Sequence, residues 1–248
     1  MFWDKTTTSG ILATLAPGAR GVVSFSFDMP VGDALKHARN PRLTISVNAA
    51  GNRIAESGVP EVLQSTASAA VSLASDLQLI AEGLYYTNPF GSSGPMPPKA
   101  GQETTYALVF TVRNSTNKIS KARLTASLPP YVRWVGVYSP ASEKVKFNQV
   151  DGTVTWELGD IEPRVGLDGT APRQAAIAVG FTPSTSQIGQ QPALLQNIKL
   201  TGVDASTTPI SRVVDNLTTN LAKVSKSSAD INVAGESGFS PASAMVVK

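Results

Sequence analysis

Cysteine is absent from the 248 residues, and histidine occurs once, as His37. The first absence removes thiolate nucleophiles, thiolate metal sites and any disulfide framework; the second removes a two-imidazole zinc site. Charge is scarce as well. Asp, Glu, Lys and Arg make up 16% of the chain, against a usual share of about 25%, so long surface helices are not expected. The 21 basic residues exceed the 18 acids by only three. They are scattered (Lys36, Arg39, Arg42, Arg53, Arg113, Lys118, Lys121, Arg123) rather than gathered on one face, which argues against a nucleic-acid partner. No apolar run approaches the roughly 20 residues that span a bilayer, and Met1 to Thr6 lacks the basic and apolar pattern of a signal peptide. Direct membrane insertion is therefore not expected. The chain reads as either an intracellular protein or a piece of a longer exported one.

What is present is turn chemistry and alternation. The 20 glycines and 17 prolines punctuate short runs: Ala16-Pro17-Gly18, Pro30, Pro41, Asn88-Pro89, Gly94-Pro95, Pro97-Pro98, Pro129-Pro130. Between them, apolar and polar residues alternate with the period of a half-buried strand. Val22 to Phe27 places Val23, Phe25 and Phe27 on one face. Leu43 to Val47 does the same, and Thr105 to Val112 aligns Tyr106, Leu108, Phe110 and Val112 ahead of the turn Arg113 to Asn117. Val132 to Tyr138 and Thr153 to Leu158 carry β-branched and aromatic enrichment, the second after the Asp151-Gly152 turn. An all-β sandwich or barrel follows. The rival helical segment is Val59 to Leu79, where Ser65, Ala67, Ser68, Ala69 and Ala70 permit helix.

The chain also repeats itself. Trp3-Asp4 matches Trp156-Glu157, and Val22 to Phe27 matches Ala176 to Phe181. Leu43 to Val47 falls near Ile198 to Thr201, Val59 to Leu63 lies opposite Ile210 to Val214, and Asp76 to Leu79 lies opposite Asp230 to Val233. The order is kept at an offset near 154. That period exceeds the roughly 20 to 50 residues of a solenoid unit and implies tandem domains. Residues 1–73 read as the later part of one unit, 76–226 as a complete unit, and 229–248 as the opening strand and tail of a third. An incomplete sandwich exposes a core face and strand edges. Its completion is expected from neighbouring sequence, from the same chain's tail, or from another copy by strand complementation.

Gly101-Gln102-Glu103-Thr104-Thr105-Tyr106, then Val112 and Asn114, Leu128-Pro129-Pro130, and Gly152 through Trp156-Glu157-Leu158-Gly159 resemble the conserved repeat domain of bacterial and archaeal cell-surface proteins. The resemblance covers roughly 76–226, and its latter half recurs in 1–73 through Trp3, Leu15, Pro17-Gly18 and Phe25-Ser26-Phe27. It implies tandem immunoglobulin-like β-sandwich domains on an extracellular, cell-surface protein. The stretch Arg164 to Arg173 departs from the family's short Pro-Gly turn and is an insertion, either a binding loop or a long linker.

Trp3, Tyr106, Phe110, Trp134 and Trp156 are expected in the core, filling the space between sheets. Asn114-Ser115-Thr116 and Asn216-Leu217-Thr218 fit an N-glycosylation pattern that also arises by chance. His37 lies in a polar connector. No nucleophile elbow, phosphate loop or dinucleotide fingerprint is present. Asp160, Glu162 and Asp204 could contribute oxygens to a hard cation, although acids are sparse. No cofactor or catalytic residue is expected. The leading expectation is a non-catalytic spacer or adhesive stalk segment. Its rivals are a carbohydrate- or protein-binding module using Tyr85, Tyr86 and Phe90, and a filament or virion subunit joined by strand donation.

Overall fold

The computed structural model describes residues 14–28, 38–54, 58–206, 208–226 and 235–248. The chain divides into two compact units, Met1–His37 and Ala38–Lys248. The division falls inside the segment 1–73 that the repeat assigns to one unit. Trp3 and His37 lie outside the described residues.

In the first unit, Ala16-Pro17-Gly18 turns with Ala19 N–H donating to Ala16 C=O at 2.9 Å. The alternating Val22 to Phe27 segment forms no strand, contrary to expectation, and Val22, Val23, Phe25 and Phe27 are exposed. Alternation favours a strand only where a neighbouring strand supplies the ladder and a face to bury.

The second unit is all-β, with thirteen strands among the described residues. Eleven of them build a two-sheet sandwich. One sheet runs in the order β13 (Val224–Lys226), β3 (Leu77–Leu84), β4 (Thr104–Asn114), β9 (Arg173–Phe181), β6 (Val132–Ser139). The other runs β11 (Pro209–Val213), β10 (Ala193–Asp204), β5 (Ile119–Ser127), β8 (Thr153–Ile161), β7 (Lys144–Asn148), with β12 (Leu217–Thr218) also pairing β10.

The core forms as the alternation predicts. On β4, Tyr106, Leu108, Phe110 and Val112 are all buried, and on β9 so are Ala175, Ile177, Val179 and Phe181. Facing them are Ile119, Ala122 and Leu124 of β5 and Val154 and Trp156 of β8. Phe110 and Trp156 meet across the sheets with centroids 6.5 Å apart. Full burial of a Leu, Ile or Phe side chain stabilises by roughly 1.5 to 3 kcal/mol. Trp156 also has a polar handle: its indole N–H donates to Glu143 Oε2 at 2.8 Å, and Arg173 holds the same carboxylate. Burial opposes the Glu143 charge, but the bonds from Arg173 and Trp156 outweigh it and lower its pKa.

The remaining two strands stand apart from the sandwich sheets. β1 (Arg42–Ile54) and β2 (Pro60–Ser72) pair antiparallel over thirteen unbroken positions as a two-stranded sheet. At about 3.4 Å per residue this hairpin extends roughly 44 Å. The helical alternative for Val59 to Leu79 is not realised; that segment is split between β2 and β3. Every residue of β2 is exposed. The hairpin is nonetheless two-faced, because Leu43, Ile45, Val47, Ala49 and Gly51 stand opposite Val71, Ala69, Ala67, Ser65 and Leu63. The other face is mainly polar, with Thr66 Oγ1 donating to Asn48 Oδ1 at 2.8 Å.

The sandwich contains a second hairpin of the same build. β10 pairs with β11 and then β12, as β1 pairs with β2. Both begin after a proline, Pro41 and Pro192. Both are closed by the same bond: Leu73 N–H donates to Pro41 C=O at 3.0 Å, and Thr219 N–H to Pro192 C=O at 3.1 Å. Both carry a glycine ten residues after that proline, Gly51 and Gly202.

Candidate functional site

The hairpin meets the sandwich at a buried polar knot, built from three turns that the sheets bring to one end. Ser75, between β2 and β3, is its centre. Its N–H donates to Asp204 Oδ2 at 2.7 Å and its hydroxyl to Asn114 Oδ1 at 2.7 Å. The same oxygen accepts the N–H groups of Thr116 and Asn117 at 2.9 and 3.2 Å. Asn117 spans the joint, its Nδ2 donating to Leu73 C=O at 2.6 Å and to Asp204 Oδ1 at 2.8 Å. Asn40 N–H, just before β1, donates to Thr116 C=O at 3.0 Å. Both strands of the hairpin are thus tied at their roots to the β4–β5 turn.

Each residue sits where its chemistry is needed. Asn114 closes β4 and is fully buried, its Nδ2 donating to the carbonyls of Asn117 and Glu162 at 2.7 and 3.0 Å. A glycan cannot be carried there, so the Asn114-Ser115-Thr116 triplet is a turn and not an acceptor. Asp204 ends β10 and is 1% exposed. Burial alone would raise its pKa, but the N–H groups of Ser206 and Ser75 and the Asn117 side chain outweigh that and hold it below the ordinary carboxylate value. A carboxylate fixed by such donors remains charged near neutrality, and hydrogen bonds to a charged group contribute about 1.5 to 3 kcal/mol each. The knot ties the root of the hairpin to the sandwich.

The insertion is part of the same end. Arg164 N–H donates to Ser115 C=O and Asn114 N–H to Val165 C=O, each at 2.9 Å, while Arg164 and Asp168 form an ion pair within the loop. Asp160 and Glu162 both pair with Lys118, at 2.8 and 3.2 Å. With Asp204 committed to the knot, these acids do not converge, and no group of three metal-ligating side chains occurs among the described residues.

The opposite end carries the aromatic candidates. Tyr85 is half-buried against Tyr106, and its hydroxyl donates to Gly94 C=O at 2.7 Å. Phe90 packs on Ala107, Val109 and Ala176, the outer face of β4 and β9. Tyr86 alone of the three is exposed, edge-on to Tyr85 at 5.2 Å. The 88–98 loop reads as flexible in sequence but is tied down: Phe90 N–H donates to Asn88 Oδ1, Ser92 Oγ to Tyr85 C=O, and Thr104 Oγ1 to Pro95 C=O. Gly94, at φ 87°, fits against the backbone of Glu103 where a Cβ would lie 2.1 Å from a carbonyl oxygen. Tyr106 and Trp156 are fully buried, and burial pushes the Tyr106 phenol up. Trp134 is half-buried at the core margin, stacked on Phe147 at 5.3 Å.

Residues 235–248 seal this end. Val246 and Val247 make parallel bridges to Ile188 and Lys99, and Thr219 Oγ1 donates to Ala244 C=O at 2.6 Å. Glu236 accepts the N–H groups of Tyr85 and Thr87 at 2.9 and 2.6 Å.

Sequence reading missed Ser75 and Asn117, and it weighed Asp204 only as a cation ligand. They are polar residues far apart in the chain, and only the turn context of Asn114 to Asn117 marked the place. No helix among the described residues is long and apolar enough to cross a membrane. No protein-family model matches the chain, and no curated protein does. Several solved structures are similar in part, two of which serve as examples. One is a variant of the major pilin subunit of Bacillus cereus, at 11% identity and TM-score 0.37, covering 68% of this chain and 47% of that one. The other is a DUF4466 family protein of Parabacteroides merdae, at 10% identity and TM-score 0.23, covering 56% of this chain and 44% of that one. The chain thus spans about half the length of each, and neither likeness is close enough to bear on role.

Proposed function

We propose that this chain is a non-catalytic structural segment of a longer cell-surface protein, a spacer or stalk built of tandem immunoglobulin-like sandwich units. The observation that carries the reading is the polar knot. A chain whose task is to set distance and direction needs a joint that resists bending, and the Ser75, Asn114, Asn117 and Asp204 cluster ties the hairpin to the sandwich with a connected set of buried hydrogen bonds, which leaves Asn117 Oδ1 without a partner among the described residues. The matching prolines and closing bonds of the two hairpins support reading the hairpin as the end of a neighbouring unit. Contact with a glycan or protein at the opposite end would fall on Tyr86.

Because the chain has no cysteine, Ser68→Cys on β2 and Lys146→Cys on β7 give one clean pair of spin labels. The expected distance distribution is narrow, and it broadens in Ser75→Ala and Asn117→Ala. A distribution that is broad from the outset and indifferent to both substitutions overturns the reading.

A further inference from the structure

Gly202 and Gly51 occupy the same place in the two hairpins, ten residues after Pro192 and Pro41, but their surroundings differ. At Gly202, an added Cβ would lie 2.5 Å from Ile119 Cγ2, with Ala122 Cα of the same strand at 3.6 Å. β5 lies along the edge of β10 that β11 leaves free, and Ile119 fills the space the missing side chain provides. At Gly51, no atom of the described residues lies within 4 Å. Glycine inside a strand weakens it unless another chain approaches closely, and here the approach is missing. Among the described residues β1 has only β2 as a sheet neighbour, and its second edge is open to them along thirteen residues.

We propose that the outer edge of β1 is an acceptor for an antiparallel strand of β5 chemistry, a segment of alternating aliphatic residues whose β-branched side chain seats over Gly51. The apolar row Leu43, Ile45, Val47 and Ala49 continues along the same face as Gly51, so the incoming strand's aliphatic residues extend one apolar surface while backbone bonds supply most of the affinity. Arg42 and Arg53 stand at the two ends of β1, and Arg53 pairs with Glu61 across the hairpin at 3.1 Å. β2 is not the acceptor, because its counterpart β11 ends its sheet in the intact sandwich. Nor is the β5 of a second folded copy the donor, because that strand is already held between β10 and β8. The donor is an otherwise unpaired segment. The inference rests on reading the two hairpins as equivalent parts of tandem units.

The test uses the full chain and a labelled synthetic peptide of residues 117–128, the protein's own β5 sequence. Saturable binding is expected, with amide-exchange protection appearing across residues 42–54 and not across 60–72. Gly51→Val fills the empty space and should weaken binding by roughly tenfold or more, while leaving the far-ultraviolet spectrum and thermal transition unchanged. The same peptide carrying Ile119→Gly should also bind more weakly to the unaltered chain. The proposal is overturned if the peptide does not bind, if protection appears on β2, if Gly51→Val binds equally well, or if β1 becomes protected with rising protein concentration alone, which would mean arm-to-arm pairing. A failed peptide with a narrow spin-label distribution would remove this inference and leave the spacer reading standing.

Discussion

The two hairpins of this protein share their starting proline, their closing hydrogen bond and their glycine, yet one is embedded and the other bare. β10 carries Ile198 and Leu200 fully buried between a neighbouring strand and the opposite sheet, whereas Val47 on β1 is 44% exposed. Strand pairing is therefore not what distinguishes them. The bare hairpin has an unbroken ladder, more regular than that of β10, whose pairing with β5 shifts register twice. What it lacks, among the described residues, is a second layer, and a two-stranded hairpin without one is at best marginally stable in water. Its root, tied into the knot, is where the protein fixes it.

The largest expected contrast is in the cost of truncation. Trp156→Ala should lower the unfolding free energy by about 3 to 5 kcal/mol, because it empties the space beside Phe110 and strands Glu143 without its indole donor. Val47→Ala should cost less than about 1 kcal/mol, since nearly half of the residue is already in water and only methyl groups are lost. Denaturant titrations followed by far-ultraviolet dichroism measure both, and equal losses would break the comparison.

Next comes acid. Asp204 has a folded pKa held below its ordinary 3.8, so its charged form stabilises the knot fully above that value. The contribution is lost as the pH falls below 3.8 and through the lower folded value. Denaturation midpoints should drop over that window, and the drop should be shallower in Asp204→Asn. An identical profile in the two proteins would remove Asp204 from the joint.

The smallest effect belongs to the hairpin's own ion pair. Arg53→Ala removes an exposed cross-strand bond to Glu61 and should change stability by no more than about 0.5 kcal/mol. Amide exchange along β1 and β2 should be nearly unaltered. Collapse of protection along the whole hairpin would show that its tip, rather than its root, holds it in place.

The sandwich was legible wherever alternation and burial coincide. Tyr106, Leu108, Phe110 and Val112 could be assigned to one face because a period of two leaves no other arrangement, and Trp156 stood out by size. The same alternation misled at Val22 to Phe27, because a pattern announces a face but not whether a neighbour covers it. The knot was hidden for a different reason. Ser75, Asn117 and Asp204 are ordinary turn residues in sequence, and only the convergence of three distant turns makes them a cluster. Gly51 and Gly202 were hidden too. A glycine within a strand reads as weakness until the residue opposite it, Ile119, is known.

The carboxylate of Glu236 reaches back to Tyr85, 151 positions earlier in the chain. During synthesis, which delivers about 5 to 20 residues each second, the turn at Tyr85 to Thr87 would emerge roughly 8 to 30 seconds before the group that satisfies its N–H donors. One end of the sandwich thus waits for Glu236, whereas every residue of the knot has emerged once Ser206 has.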